Sequence, residues 1–121
     1  MKAKHVFQVK RVYEEPSPQD GVRFLVDRLW PRGVRKEALA DVRWLREVSP
    51  SPTLRAMFCH DAAKWEEFRR RYRVELKNNR AGWEPLMAAI KTSNVTLLFA
   101  AKEAEMNNAS VLKEFLEEQE G

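Results

Sequence analysis

The apolar positions of this chain change along the sequence from runs typical of strands to stripes typical of helices, and then back. Residues 5–13 and 22–29 carry short apolar stretches that predict two strands. Residues 24–26 are all apolar, which is typical of a strand covered on both faces. Residues 95–101 form a third apolar run of strand length. We therefore expect a small sheet with a buried central part.

Helical spacing dominates the middle and the end of the chain. In residues 61–79 one stripe of apolar side chains recurs at intervals of three and four, formed by Trp65, Phe68, Tyr72 and Leu76. Asp61 is the expected N-cap of this helix. Further helices are predicted from residue 52, over residues 83–92 and after Asn107 or Asn108.

The order of these elements predicts one α/β domain over residues 1–121. Two strands come first and helices follow. The last strand then leads directly into the last helix, which favours parallel pairing. Residues 34–48 predict a short helical turn followed by an extended piece. A chain of 121 residues, 44% of them hydrophobic, is long enough to bury one core. We expect a small, mainly parallel sheet flanked by helices.

The densest polar group follows the second predicted strand, in the sequence DRLWPRG at residues 27–33. The planar guanidinium of arginine matches phosphate or carboxylate oxygens, so Arg28 and Arg32 are candidate anion ligands. Trp30 is a candidate for stacking on a base or sugar, and Asp27 for a general base or for holding an arginine. Ligands of open α/β sheets bind at the carboxyl ends of strands, which favours a site here. The alternative is a structural ion pair between Asp27 and one of the arginines, with Trp30 packed over it.

A second polar group, residues 101–108, follows the last predicted strand. Lys102 is a candidate anion ligand and Glu103 a candidate acid or base. The start of the last helix offers free N–H groups to an anion, with Asn107 and Asn108 beside them. The alternative is that one asparagine is an ordinary N-cap and that Glu103 only interacts with the helix dipole.

The two polar groups share one cleft if the second and last strands are parallel neighbours, because their carboxyl ends then lie side by side. The side chains expected to meet there are Arg28, Arg32, Lys102, Glu103 and Asn107. The net charge of +4 also favours anionic partners, such as nucleotides, phosphorylated metabolites or nucleic acid.

The segment LRAMFCHD at residues 54–61 adds further candidates. Arg55 is an additional candidate anion ligand. His60 is either a second candidate acid or base or a packing residue at the start of the long helix. Adjacent residues usually point apart, so Cys59 and His60 do not predict thiol catalysis, and we expect Cys59 to be a small buried hydrophobe. No spacing that includes His5, His60 and the one cysteine resembles a zinc site, and we expect no metal.

Cysteine count, apolar runs and motifs exclude several classes of protein. A single cysteine excludes an intramolecular disulfide and favours the cytoplasm. The longest apolar run is too short to span a bilayer, and we find no signal peptide, so no membrane contact is expected. No phosphate-binding or dinucleotide fingerprint occurs, so the cofactor is unknown. The basic triplet at residues 69–71 follows Glu66 and Glu67, which predicts Glu66–Arg70 and Glu67–Arg71 ion pairs on a solvated helix face.

Three segments of the sequence resemble the YeaO-like branch of the domain of unknown function 488 family. They are RVYEEPSPQDGVRFLVDRLWPRG, SPTLRAMFCHDAAKWEEFRRRYRVEL and VTLLFAAKEAEMNNASVLKEFL. The most specific part is LVDRLWPRG together with the late segment that contains Asn107 and Asn108. The resemblance implies a small cytoplasmic protein with an α/β core, from a family with no characterised activity.

The resemblance also implies which polar residues are shared within the family. In this chain they are Arg11, Tyr13, Asp27, Arg28, Trp30, Arg32, Lys36, Arg55, His60, Asn107 and Asn108. Related branches carry a Cys-His-Arg triplet where this chain has residues 106–108, so a thiol mechanism is not implied here. Met57 and Met106 stand where this branch usually has Trp and His. If that histidine carries the chemistry, this protein binds its ligand without turnover.

The sequence thus predicts a cytoplasmic protein with an arginine-rich cleft for a phosphorylated or nucleotide-like small molecule. Arg28, Arg32 and Lys102 would clamp the anion, and Asp27 or Glu103 would be the acid or base if a reaction follows. One alternative is a non-enzymatic module that binds nucleic acid or a regulatory partner through its basic surface. Another is a structural role, in which the polar clusters are internal ion-pair networks and the protein acts through oligomerisation.

Overall fold

The computed structural model describes residues 5–59 and 61–120, which contain four strands and four α-helices. The strands are β1 (Phe7–Arg11), β2 (Val22–Leu25), β3 (Arg43–Trp44) and β4 (Val95–Phe99). The helices are α1 (Pro52–Phe58), α2 (Trp65–Lys77), α3 (Arg80–Ala89) and α4 (Asn108–Glu120). The predicted α/β fold is confirmed. None of the helices in this part of the chain is long and apolar enough to cross a membrane.

The four strands form one parallel sheet in the order β1-β4-β2-β3. Val95 of β4 is in register with Phe7 of β1 on one side and with Val22 of β2 on the other. Every residue of β4 is buried, as expected for a central strand of a parallel sheet that is covered on both faces. The carboxyl ends of β2 and β4 are therefore neighbours, which is the condition that the sequence set for a shared cleft.

The two faces of the sheet are covered by different elements. Successive strand residues point to opposite faces, so Phe24 and its neighbour Leu25 enter different hydrophobic clusters. The cluster around Phe24 contains residues of all four helices. The cluster around Leu25 contains Leu39 and other apolar residues of the segment between β2 and β3. We call these the helix-covered face and the loop-covered face.

Most predicted elements are present, with shifted boundaries. The segment at residues 34–48 forms a 3-10 turn at Lys36–Leu39 followed by the short strand β3, as predicted. The helix predicted from residue 61 starts with a 3-10 turn at Ala62–Lys64, where the Asp61 carboxylate accepts a hydrogen bond from the Ala63 N–H at 3.0 Å. The third helix begins at Arg80 instead of residue 83.

Candidate functional site

A cleft of about 750 Å³ opens at the carboxyl ends of β2 and β4. Both polar groups found in the sequence contribute to it, because these two strands are parallel neighbours. The predicted site residues that line the cleft are Asp27, Arg28, Trp30, Arg32, Arg55, Lys102, Asn107 and Asn108. Both strand ends therefore contribute side chains to one cleft, whereas Glu103, which was expected to meet them there, is not in its described lining.

Asp27 forms the floor of the cleft and connects three elements. Its carboxylate accepts hydrogen bonds from the Ala100 N–H at 2.9 Å and from the Asn108 amide at 3.2 Å. Its carbonyl accepts a hydrogen bond from the Trp44 indole N–H at 2.7 Å. Asp27 thus links the end of β2 to the end of β4 and the start of α4. The sequence left open a structural ion pair between Asp27 and Arg28 or Arg32. Within the described residues, no such ion pair is present.

Positive charge dominates the lining of the cleft. Among the described residues that line it, four cationic side chains accompany one carboxylate. We call them the cleft cations; they are Arg28, Arg32, Arg55 and Lys102. In the part of the chain that the structure describes, none of them forms an ion pair with a carboxylate. Half-buried Arg28 donates long hydrogen bonds to the carbonyls of Ser49 and Pro50, at 3.5 and 3.4 Å. A concave surface with uncompensated cations attracts anions.

One side of the cleft is aromatic. The Trp30 indole N–H donates to the Val34 carbonyl at 2.7 Å, and its ring contacts Trp44 edge to face, with 5.3 Å between ring centroids. Tyr13, which follows β1, donates from its hydroxyl to the Arg32 carbonyl at 2.9 Å. The loop after β2 therefore crosses the end of β4 to reach the end of β1. The residue patterns gave no site role to Tyr13; only the family resemblance indicated it.

Asn107 and Asn108 fix the start of α4. Asn107 is almost fully buried, and its side-chain oxygen accepts a hydrogen bond from the Ser110 N–H at 3.0 Å, which makes it the N-cap of the helix. Its amide donates to the Glu103 carbonyl at 2.9 Å. The Asn108 amide also donates to the Val26 carbonyl, at 3.1 Å. Both amide groups therefore have partners within the protein.

Among the described residues, two predicted site residues, Glu103 and Lys36, are not among those that line the cleft. Glu103 is exposed, and its carboxylate accepts hydrogen bonds from the N–H groups of Glu105 and Met106, at 3.1 and 3.5 Å. Lys36 is exposed on the 3-10 turn between β2 and β3. His60 lies outside the described residues. The proposed roles of these three residues stay predictions.

The prediction that Cys59 is a buried hydrophobe is wrong. Phe58, the last residue of α1, occupies the core position, and Cys59 is exposed at the rim of the cleft. Its φ of 45° places it in the left-handed region that ends many helices, where glycine is preferred. Among the described residues, no three His, Cys, Asp or Glu side chains are grouped closely enough to hold a metal ion.

Two polar groups beneath the cleft hold α1 and the segment before it. The Glu75 carboxylate accepts hydrogen bonds from the N–H and the hydroxyl of Ser51, at 2.9 and 2.6 Å. The same hydroxyl accepts from the Leu54 N–H and caps α1. The buried Tyr72 hydroxyl donates to the Val48 carbonyl at 2.6 Å. Burial raises the pKa of Tyr72, and the negative charges of Glu75 and Asp27 raise it further.

Comparisons with known proteins agree with the resemblance found in the sequence motifs. The sequence model of the family DUF488-N3i, "Inactive DUF488-N3 subclade", matches residues 6–120. The chain is 40% identical to the uncharacterized protein YeaO of Escherichia coli (strain K12) over 109 residues, which are 90% of this chain and 95% of that protein. It is 38% identical to the uncharacterized protein Rv3073c of Mycobacterium tuberculosis (strain ATCC 25618 / H37Rv) over 109 residues, which are 90% of this chain and 92% of that one. No solved structure matches the chain.

Proposed function

We propose that this chain, which belongs to the inactive DUF488-N3 subclade, binds a phosphorylated small molecule in the cleft and does not turn it over. The observation that supports this function is the set of cleft cations, which converge without an ion-pair partner in the described residues. Like charges held together repel one another, and an anionic ligand removes that repulsion.

The size and chemistry of the cleft fit a small phosphorylated molecule. Its volume of about 750 Å³ lies within the range of roughly 300–1,000 Å³ that small-molecule sites occupy. Arg28, oriented by two backbone carbonyls, offers a guanidinium in a defined position, and exposed Arg32 and Arg55 add two more. One arginine guanidinium can donate hydrogen bonds to two oxygens of the same phosphate, and the Lys102 ammonium adds a point charge. Lys36, outside the lining, would contact only a ligand that extends beyond the cleft.

Binding without turnover is supported by the environment of the candidate acid and base. Both Asp27 oxygens accept hydrogen bonds from the protein, and the Glu103 carboxylate accepts hydrogen bonds from backbone N–H groups. We propose that both residues shape the site instead of transferring protons. Met106 stands where the resemblance leads us to expect a histidine, and the family is named an inactive subclade. A cytoplasmic location, suggested by the single cysteine, stays a prediction.

The test is a thermal-shift screen of the purified protein with nucleotides, phosphosugars and short DNA and RNA, each at low and moderate salt. A saturable rise in melting temperature with a small phosphorylated compound is expected. At a ligand concentration one hundred times Kd the stabilisation is about 2.7 kcal/mol. The compound should be recovered unchanged after incubation, as chromatography will show.

Charge-neutral variants locate the binding site. Arg32→Gln and Arg55→Gln should each reduce the thermal shift, whereas the control Arg70→Gln should keep it. Arg70 is exposed on α2, forms no ion pair within the described residues and does not line the cleft. Stabilisation only by polynucleotides, and only at low salt, would instead support a nucleic-acid-binding module. No shift with any compound, or an equal loss in all three variants, contradicts the proposal.

A further inference from the structure

Exposed apolar surface is concentrated at the cleft. Of the five large hydrophobic side chains exposed in the described part of the chain, three line it: Tyr13 at 47%, Leu29 at 60% and Trp30 at 36% exposure. We call the two aromatic side chains among them, Tyr13 and Trp30, the aromatic wall. Because exposed apolar surface in one patch marks a site where something binds, the cleft has a second chemical character besides its charge.

Trp30 of the aromatic wall and two of the cleft cations lie on different sides of the sheet. Trp30 contacts Trp44, and Trp44 packs into the cluster of the loop-covered face. Arg55 belongs to α1, which packs on the helix-covered face. The Arg28 guanidinium is turned toward the same side by the carbonyls just before α1. The cleft therefore extends across the edge of the sheet, from an aromatic side to a cationic side.

The rings of the aromatic wall are held in place in the structure. Trp30 is fixed by its hydrogen bond to the Val34 carbonyl and by its edge contact with Trp44. Tyr13 is fixed by its hydroxyl, which donates to the Arg32 carbonyl, and by the Arg11 guanidinium, 4.8 Å from the ring centroid. Side chains that are ordered before binding lose little conformational entropy when a ligand packs on them.

We infer that the ligand of the cleft is a nucleotide, with its base on the aromatic wall and its phosphate at Arg28 and Arg55. The inference rests on the proposed anion-binding function and adds the class of ligand to it. A phosphosugar covers less of the two rings than a flat aromatic base does, and inorganic phosphate or pyrophosphate would leave them exposed to water. A nucleotide carries an aromatic base and a phosphate at opposite ends of one molecule. The base would pack on the aromatic side of the cleft and the phosphate would bind the cationic side.

The test is a calorimetric titration with the four ribonucleoside 5′-monophosphates, ribose 5-phosphate and pyrophosphate. Ribose 5-phosphate is the matched control, because it is a nucleoside monophosphate without its base. At least one nucleotide should bind about tenfold or more tightly than ribose 5-phosphate, as stacking on an aromatic side chain predicts. Tyr13→Leu should bring this affinity ratio toward one, whereas Tyr13→Phe, which keeps the ring, should preserve most of it. Trp30→Leu, checked for folding by circular dichroism, should also lower the ratio.

The outcomes separate the two proposals. If ribose 5-phosphate or pyrophosphate binds as tightly as every nucleotide, the nucleotide inference is overturned while the anion-binding cleft stands. The same holds if Tyr13→Leu and folded Trp30→Leu leave the affinity ratio of nucleotide to ribose 5-phosphate unchanged. If none of the six compounds binds, the proposed function is overturned and the inference with it.

Discussion

Arginine is concentrated in two regions of this molecule, the cleft and the surface between α2 and α4, and its partners differ between them. On the helical surface, Arg69 pairs with Glu114 at 2.9 Å, and Arg73 pairs with Glu118. In the cleft, the described residues provide no carboxylate partner for any of the cleft cations. The charge of the first region thus joins two helices, whereas the charge of the second is available to a ligand.

The contrast is sharpest at Asp27, the one carboxylate among the described residues that line the cleft. On the helical surface the carboxylates bind guanidinium groups. Asp27 instead accepts hydrogen bonds from the backbone N–H of Ala100, just after β4, and from the side chain of Asn108. Asp27 therefore holds the scaffold together, and the excess of cations over carboxylates leaves the described lining of the cleft with a net positive charge.

The largest expected effect follows from removing this carboxylate. Asp27→Ala leaves the Ala100 N–H and one N–H of the Asn108 amide without an acceptor, and each such group costs about 1–3 kcal/mol when it is kept from water. We expect the free energy of unfolding, measured by urea denaturation, to fall by about 3 kcal/mol. Asn108→Ala should cost less, and the double variant should cost less than the sum of both. Additive costs, or a stabilising Asp27→Ala, would show that Asp27 is not the link.

A smaller effect is expected at Tyr72, which lies in α2 beneath the cleft. Tyr72→Phe removes the donor to the Val48 carbonyl and should lower the free energy of unfolding by about 1–2 kcal/mol at pH 7. The pH dependence adds a second measurement. Burial raises the pKa of Tyr72, so above about pH 10 the unfolded chain loses this proton while the folded protein keeps it.

Stability of the unaltered protein should consequently fall as the pH rises above about 10, and part of this slope should be absent in Tyr72→Phe. Urea denaturation of both proteins between pH 7 and 11 checks the difference. All other contributions to the pH dependence are common to both proteins, so only the difference between the two slopes reports on Tyr72. Identical slopes would contradict the assignment.

Backbone strain at the rim of the cleft predicts a gain in stability. Cys59 has a φ of 45°, where a side chain costs about 1–2 kcal/mol and glycine does not. Glycine also loses more backbone entropy on folding, so Cys59→Gly should raise the free energy of unfolding by about 0.5–1 kcal/mol. Cys59→Ala is the matched control, because it removes the thiol and keeps the strain. Equal melting temperatures for the two variants would show that the backbone is not strained.

The smallest effects test the comparison of the two regions directly. Arg69→Gln breaks the pair with Glu114 and should cost about 0.2–1 kcal/mol, as exposed ion pairs do. Arg32→Gln removes a cation that has no carboxylate partner and should leave the stability of the ligand-free protein unchanged or slightly higher. The difference between the variants should shrink at high salt, because the charges are screened. If Arg32→Gln costs as much as Arg69→Gln, the two regions do not differ in the way described.

The sequence predicts those features of the fold that depend on local pattern. The apolar run of β4 and the stripe of α2 identified buried elements, and the sequence of strands and helices favoured the parallel sheet. The expectation that Arg28 and Lys102 line the same cleft depended on β2 and β4 being neighbours in that parallel sheet. Element boundaries were less accurate, because hydrogen bonds between distant residues set them. After Val26, for example, the Ala100 N–H donates to the Asp27 side chain and not to a backbone carbonyl of the neighbouring strand. The pairing of β2 with β4 therefore ends there.

Contacts between elements distant in the chain were not predictable. The predicted pair of Glu67 with Arg71 is present, at 2.6 Å. Glu66, however, lies 4.0 Å from Arg69 instead of pairing with Arg70, and Arg69 also binds Glu114 of α4. Only the packing of α4 against α2 brings that carboxylate within reach. For the same reason the approach of Tyr13 to Arg32 has no signal in the local sequence.

The central position of β4 has a consequence for folding of the chain during its synthesis on the ribosome. Chains emerge N-terminus first, so β1 and β2 are synthesised long before Val95–Phe99, the strand with which both pair. Until then neither strand has its β4 partner, and the strand ends that frame the cleft are not assembled. We expect the nascent chain to remain unable to complete its sheet through most of translation. In that interval the unpaired strand edges can pair with other chains and cause aggregation. A chaperone that binds nascent chains would protect this chain from it.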